Sequence, residues 1–192
     1  MHPGIYDKYG KRALDVLLAS VSLLVLAPLL LLVAAAIRLE DGGPALFRQV
    51  RRGRDNVDFT LLKFRSMPVA TPDLPSASAG ALRVTRVGRA IRRLNVDELP
   101  QLINILRGDM SIVGPRPALP SQSSLVDARL AAGVMRVRPG LTGLAQVSAY
   151  PGMPEEEKLD WDRRYSSRIT LLHDLVIIVR TVGYLAKPPP VY

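Results

Sequence analysis

The chain has 192 residues and a net charge of +9, from 26 Lys+Arg against 17 Asp+Glu; it has no cysteine and two histidines, His2 and His173. That length allows one domain besides a membrane segment. The missing thiols exclude a disulfide framework and a thiolate zinc site, and two histidines argue against a histidine-rich metal site or a His-based triad. Chemistry therefore falls to carboxylates, arginines and lysines. The positive charge suits a phosphate-rich partner: nucleic acid, anionic lipid or phosphorylated small molecules. Aromatic residues make up 5% of the chain, which argues against a stacking platform for single-stranded nucleic acid.

Residues 13–37 read ALDVLLASVSLLVLAPLLLLVAAAI, with one charge, Asp15, and one proline, Pro28, near the middle. As a straight helix this segment measures roughly 37 Å, against a hydrocarbon core of about 30 Å. Lys8, Lys11 and Arg12 precede it; Arg38, Arg48, Arg51, Arg52 and Arg54 follow it. Positive charge marks the cytoplasmic side, so both flanks favour that side. Proline removes a backbone donor and bends a helix. A helix that enters the bilayer, breaks at Pro28 and returns to the same face satisfies these observations together. An ordinary span, a buried core helix and a cleaved signal peptide are the alternatives; the apolar run is too long for the last and too uniformly apolar for the second.

Beyond it, Asp41-Gly42-Gly43-Pro44 is a turn. Residues 45–51 and 57–66 alternate partially and flank Gly53-Arg54-Asp55-Asn56, which predicts a β-hairpin. Residues 68–80 hold three prolines and read as a loop. Helical spacing appears in 83–94, then from Asn95 to Arg107, stopping at Gly108. Residues 111–117 (SIVGPRP) predict a short strand running into a proline-rich turn, 121–132 a helix, and 138–143 (RPGLTG) a rigid turn. From Pro154 to Lys187 the pattern is helical. In 169–186 twelve of eighteen residues are apolar, interrupted by His173, Asp174 and Arg180, which suits a helix on a membrane surface or on the core better than a span. The fold class predicted is α+β, mostly helical: a membrane-inserted segment, 1–40, and a cytosolic domain, 41–192, with a β-hairpin and membrane-surface amphipathic helices.

Asp97-Glu98-Leu99-Pro100 opens the second of these helices. Asn95 and Glu98 stand at capping-box spacing, and Pro100 suits a first turn, so capping alone explains the pair. The same geometry also draws anions towards Asp97, and an ionised carboxylate can attack phosphorus while its neighbour serves as base or holds a cation. Anion donors gather nearby in sequence: Lys63, Arg65, Arg92, Arg93 and Arg116. Most such charges are solvated surface residues. Arg116, fixed between Pro115 and Pro117, is the one whose backbone is prepared to present a guanidinium to a phosphate.

KRALDVLLAS, the apolar segment with its proline, GPALFRQVRRG, FTLLKFRSM, LNVDELPQLINILRGDMSIVGPRP and RPGLTGLAQV follow one another in order. With these motifs the chain, over residues 10–185, resembles the bacterial sugar transferases, the monotopic polyprenol-phosphate phosphoglycosyl transferases. DELPQL with GDMSIVGPRP is the specific part. The match predicts the small form, essentially the catalytic core. The resemblance implies transfer of a sugar-1-phosphate from a nucleotide diphosphate sugar, a UDP-sugar, to a polyprenol phosphate, undecaprenyl phosphate. A nucleoside monophosphate is released, and glycoconjugate assembly begins. It implies Mg2+ as cofactor, with Asp97 its protein ligand. It makes Asp97 the covalent nucleophile and Glu98 its catalytic partner, and it places Lys63, Arg92, Arg116 and Asp174 among the substrate-binding residues. It further implies a monotopic protein on the cytoplasmic face of the bacterial inner membrane, in contact with membrane lipids and not with nucleic acid; a homodimer is left open.

Two departures stand out. The family often has Ser before the membrane proline, where this chain has Ala27. A serine hydroxyl can rebond a freed carbonyl and sharpen a kink. The family also often has Asn-Gly-Arg where this chain has Ser148-Ala149-Tyr150, so one phosphate-binding arginine is missing at Tyr150. Two rival functions are set against this reading. A non-catalytic basic membrane adaptor for anionic lipids explains the charge but not Asp97-Glu98 beside Arg-Pro turns. A polytopic sugar-phosphate transferase needs more than one apolar segment.

Overall fold

The computed structural model describes residues 6–69, 84–150 and 152–185. The expected loop 68–80, apart from its first two residues, lies outside the described residues, as do the start of the expected helix 83–94 and the end, 186–187, of the helix expected from Pro154. A π-helical turn, Tyr6–Gly10, leads into α1, Lys11–Asp41. The hairpin follows as β1, Leu46–Arg52, and β2, Asp58–Phe64, antiparallel with Leu46 opposite Phe64 and Arg52 opposite Asp58. Its turn uses left-handed Asp55 and Asn56, residue types that tolerate that conformation. Then come α2, Arg86–Arg93; a 3-10 turn, Val96–Glu98; α3, Gln101–Arg107; and β3, Ser111–Val113. The remainder is α4, Ser123–Ala131; a 3-10 turn, Val134–Arg136; β4, Gly140–Thr142; α5, Leu144–Ser148; α6, Glu155–Ser167; and α7, Leu171–Leu185. The fold is mostly helical α+β with one long apolar helix and a small β-hairpin, as the sequence pattern predicts.

Three elements differ from expectation. RPGLTG is not only a turn: Gly140–Thr142 pairs in parallel with β3, Ser111 beside Gly140 and Val113 beside Thr142. The expected helix from Pro154 to Lys187 is two helices. Its break follows from local hydroxyls. Ser166 and Ser167 bond back to the carbonyls of Arg163 and Arg164, and Thr170 Oγ1 accepts from His173 N to start α7. The third difference is α1. It is continuous from Lys11 to Asp41 with Pro28 inside it, and neither a break nor a hairpin is seen. Proline at position 28 leaves the Leu24 carbonyl without its helical partner. Both residues lie on the exposed side, and packing of the opposite stripe holds the two halves in line.

That stripe recurs at helical spacing: Arg12, Asp15, Ala19, Leu23, Leu30, Val33, Ala34, Ile37. Ala19 completes a core cluster with Leu61, Leu102, Ile105 and Met110. Ile37 completes a second with Ala45, Phe64 and Ile91. Polar anchors mark both ends. Arg12 donates to the Ile105 and Leu106 carbonyls at 2.6 and 3.0 Å, satisfying the C-terminus of α3. Asp15 accepts from Ser111 Oγ at 3.0 Å and Ile112 N at 2.9 Å. At the far end Asp41 forms a two-pronged ion pair with buried Arg65. The other face of α1 is apolar and open: Leu24 is 79% exposed and Leu31 71%. Helix α7 repeats the design, with Ile177 and Asp174 buried while Leu172, Val179 and Val182 face outwards.

The β3–β4 pairing is a close backbone approach. A Cβ on Gly140 would lie 2.1 Å from Gly114 N and 2.3 Å from Thr142 O, both backbone atoms. Gly140→Ala is therefore expected to destabilise the chain by about 3 kcal/mol, the upper range for overpacking, read as a lower melting temperature of the detergent-solubilised protein. An unchanged melt would mean that β3 and β4 separate easily.

Candidate active site

Four of the residues singled out in the sequence converge. Lys63, on β2, donates from Nζ to Glu98 Oε1 at 2.6 Å. Arg116, in the Pro115-Arg116-Pro117 turn after β3, donates from Nη2 to the same oxygen at 2.9 Å. Lys63 and Glu98 are each 18% exposed, whereas Arg116 is 47% exposed. Asp97 adjoins Glu98 on the 3-10 turn, and Arg92, exposed at the end of α2, acts on its charge.

The local backbone explains why the pair is not a helix cap. An N-cap residue needs extended backbone angles. Asn95 instead takes φ 53°, ψ 19°, in the left-handed region, and its side chain makes no capping bond. It turns the chain sharply after α2, so that Asp97 and Glu98 sit on a 3-10 turn ahead of α3 rather than in its first turn. The capping box is not formed, and the Glu98 carboxylate goes to two cations instead.

Charge follows from this geometry. Burial pushes Glu98 upwards, but Arg116 and Lys63 together outweigh it and hold the carboxyl below the usual carboxylate range. Burial pulls the Lys63 ammonium below its ordinary value; Glu98 opposes this and Arg116 adds to it. Burial pushes Asp97 above the ordinary aspartate range, with Lys63 and Arg92 opposing and Glu98 adding. Glu98 is thus a strut that two cations hold towards its ionised form. Among the described residues no other side chain donates a hydrogen bond to Asp97, so its oxygens remain available to attack an electrophile or hold a cation.

Asp174 lies elsewhere. Its carboxylate is 2% exposed and accepts from Tyr6 Oη at 2.7 Å, Lys11 Nζ at 2.8 Å and Tyr165 Oη at 2.9 Å. No described interaction links it to Glu98, and its bonds tie α7 to the chain before and at the start of α1. Arg65 pairs with Asp41 rather than joining the cluster. Tyr150, at the missing-arginine position, donates to Glu157 Oε2 at 2.7 Å and makes no described contact with the cluster.

Sequence reasoning missed Asn104. It is fully buried, accepts from Leu62 N at 3.0 Å and donates to Thr60 O at 2.8 Å and Asp109 Oδ2 at 3.0 Å. It thereby clamps α3 to β2 one residue before Lys63. An amide at an inward position between Leu102 and Ile105 was the available signal.

Among the described residues no three acidic or histidine side chains gather as a metal cage. Asp97 offers a single hard oxygen donor beside a cationic cluster suited to phosphate. Mg2+ commonly takes one or two carboxylates and completes its shell with substrate phosphates and water, so the donor set fits that ion.

The family model for "Bacterial sugar transferase" matches residues 6–188. The chain belongs to the bacterial sugar transferase family. A Caulobacter vibrioides relative named UDP-glucose:undecaprenyl-phosphate glucose-1-phosphate transferase is 46% identical over 199 residues, covering 99% of this chain and 74% of its own length. An undecaprenyl-phosphate glucose phosphotransferase of Komagataeibacter xylinus is 48% identical over 155 residues, covering 77% of this chain and 29% of its own. An Aeromonas hydrophila relative, UDP-N-acetylgalactosamine-undecaprenyl-phosphate N-acetylgalactosaminephosphotransferase, is 39% identical over 179 residues, covering 90% and 42%. This sugar transferase chain thus spans less than half the length of two of these relatives.

Because Asp97 titrates above the ordinary aspartate value of about 3.9, the acid limb of kcat/KM for the sugar transferase should also lie above it. Lys63 favours the ionised form, so Lys63→Met is expected to move that limb to still higher pH. Rates measured across the acid range check this; a limb that stays in place would put the titrating group elsewhere.

Proposed function

We propose that this chain transfers a sugar-1-phosphate from a UDP-sugar to undecaprenyl phosphate, through a covalent phosphosugar on Asp97. One observation carries the reading: an Asp97 carboxylate with no side-chain donor among the described residues, held next to a Glu98 fixed by Lys63 and Arg116. The relatives' names supply the substrate classes, and UDP-glucose, named in the Caulobacter relative, is the first donor to test. The Aeromonas relative names another sugar, so family membership does not fix the hexose. A lipid-binding adaptor has no use for a carboxylate buried between two cations.

In this mechanism Lys63, Arg92 and Arg116 hold the diphosphate oxygens. An Asp97 oxygen attacks the phosphorus bearing the sugar, the bond from that phosphorus to the bridging oxygen breaks, and UMP leaves with the bond's electron pair. A phosphate oxygen of undecaprenyl phosphate then attacks the same phosphorus, and the Asp97 carboxylate leaves. Glu98 keeps the two cations in register throughout. Mg2+, held by Asp97 and the diphosphate, would neutralise charge on the departing nucleotide.

Asp97→Asn should retain the parental melt and lose turnover by at least about 10³-fold, because an amide forms no acyl phosphate. The assay is UMP release from UDP-glucose with undecaprenyl phosphate. Mass spectrometry of trapped parental protein should find hexose phosphate on Asp97. Normal turnover by Asp97→Asn ends this mechanism.

The same reading places the chain on the cytoplasmic face of the inner membrane, with α1 entering the bilayer and not crossing it. Its support is that both ends of α1 dock on one domain, through Arg12 and Asp15 at the start and Asp41 at the finish. A crossing helix would carry one end away. A lipid phosphate lies at the interface, where a domain resting on the apolar faces of α1 and α7 can reach it. A single Cys introduced near residue 3 of this Cys-free chain should resist an impermeant thiol reagent in intact cells. Because α1 is already continuous through Pro28 and both its ends dock on the domain, Pro28→Leu is expected to stay protected as well, with Lys8, Lys11 and Arg12 resisting translocation. Full labelling of the otherwise parental chain would establish an ordinary span.

A further inference from the structure

The turn that presents Arg116 is built from residues poor in donors. Pro115 and Pro117 have no N–H, so two of the donors that could fix the backbone there are missing and its carbonyls carry more of that task. Four consecutive carbonyls are taken, each by a different residue. Pro115 O accepts from Gly140 N at 2.9 Å, Arg116 O from Arg129 Nη1 at 2.7 Å, Pro117 O from Arg51 Nη1 at 3.2 Å, and Ala118 O from Arg52 N at 2.9 Å.

Arg129, on α4, differs from Arg51 in its burial: 6% of it is exposed. Its remaining donors, Nε and Nη2, both go to Asp162 Oδ2 on α6, at 3.1 and 2.6 Å. Asp162 is 2% exposed. The guanidinium is thus pinned on one edge by a carboxylate and spends the other on the main chain of the residue that grips Glu98. Buried ion pairs are poor sources of stability: apolar replacements of similar volume are often neutral or stabilising. What this pair supplies is direction, because a planar fork can bridge two acceptors at a fixed angle.

We propose that Arg129 and Asp162 are positioning residues that set the Arg116 guanidinium for phosphate binding by holding the Arg116 carbonyl. The pair touches neither Asp97 nor substrate and acts through Arg116; the proposal rests on the reading of Arg116 as a phosphate-binding residue.

The test is a mutant cycle on the full chain in detergent or nanodiscs, with UDP-glucose and undecaprenyl phosphate as probes and UMP release as readout. Arg129→Met with Asp162→Leu removes both charges together, leaving no unpaired charge and freeing the Arg116 carbonyl. This double variant is expected to keep the parental melting temperature within about 5 °C and to lose about tenfold or more in kcat/KM. Arg116→Ala should lose at least as much, and adding the double variant to it should cost less than about threefold further. Losses that multiply would show that the pair does not work through Arg116 and would overturn the proposal. Parental kcat/KM in Arg116→Ala would instead remove Arg116 from substrate binding, and the proposal with it. Should the double variant not fold, Arg129→Lys decides: it keeps the charge beside Asp162 but cannot hold both acceptors in one plane. Lower kcat/KM with an unchanged melt supports the proposal; parental kcat/KM overturns it.

Discussion

Oε1 of Glu98 is shared by Lys63 and Arg116, and the architecture around it exists to bring three distant segments to that atom. Lys63 arrives on a strand, Glu98 on a 3-10 turn and Arg116 on a proline-bounded loop. Two cations beside each other repel, and a carboxylate removed from water is costly. Only the three together are stable, so each element must be fixed to within a hydrogen bond's tolerance. Asn104 fixes the strand to α3 through Leu62 N and Thr60 O. The close β3–β4 pairing fixes the start of the proline turn. Asn95, in the left-handed region, aims the acidic pair.

The cluster also divides labour between neighbouring carboxylates by environment alone. Glu98 has two positive partners that favour its charged form; Asp97, one residue earlier, is desolvated and has no side-chain donor among the described residues. A pair of chemically similar groups thereby acquires opposite properties, one a strut and the other a reactive oxygen. The order of residues on a tight turn is enough to achieve this, since successive side chains on a 3-10 turn point in different directions.

Much of this was legible in the sequence. The hairpin declared itself by Gly-Arg-Asp-Asn between apolar strands, and the long apolar helix by composition. Lys63, Arg92, Asp97, Glu98 and Arg116 were picked out by a specific order of motifs. What was not legible depends on partners distant in the chain. Asp174 resembles a site residue in a motif, yet two of its three partners, Tyr6 and Lys11, come from the other end of the chain, and the third is Tyr165. The parallel pairing of Ser111–Val113 with Gly140–Thr142 has no local signature, because three-residue strands are too short for alternation to show. Asn95 and Glu98 had the spacing of a capping box, and tertiary attraction to two cations overrode that local preference.

Helix α1 does more than attach the domain to a bilayer. Its inner stripe supplies Ala19 and Ile37 to the two hydrophobic clusters beneath the hairpin, and Asp15 satisfies the first residues of β3. Cutting the helix away would remove side chains from the protein's interior as well as from its lipid-facing surface. A soluble fragment beginning after residue 41 would therefore have two open core seams and an unpaired strand start. For this architecture the long apolar helix is part of the tertiary fold, so the domain cannot be separated from it by a cut after residue 41 without opening its own core.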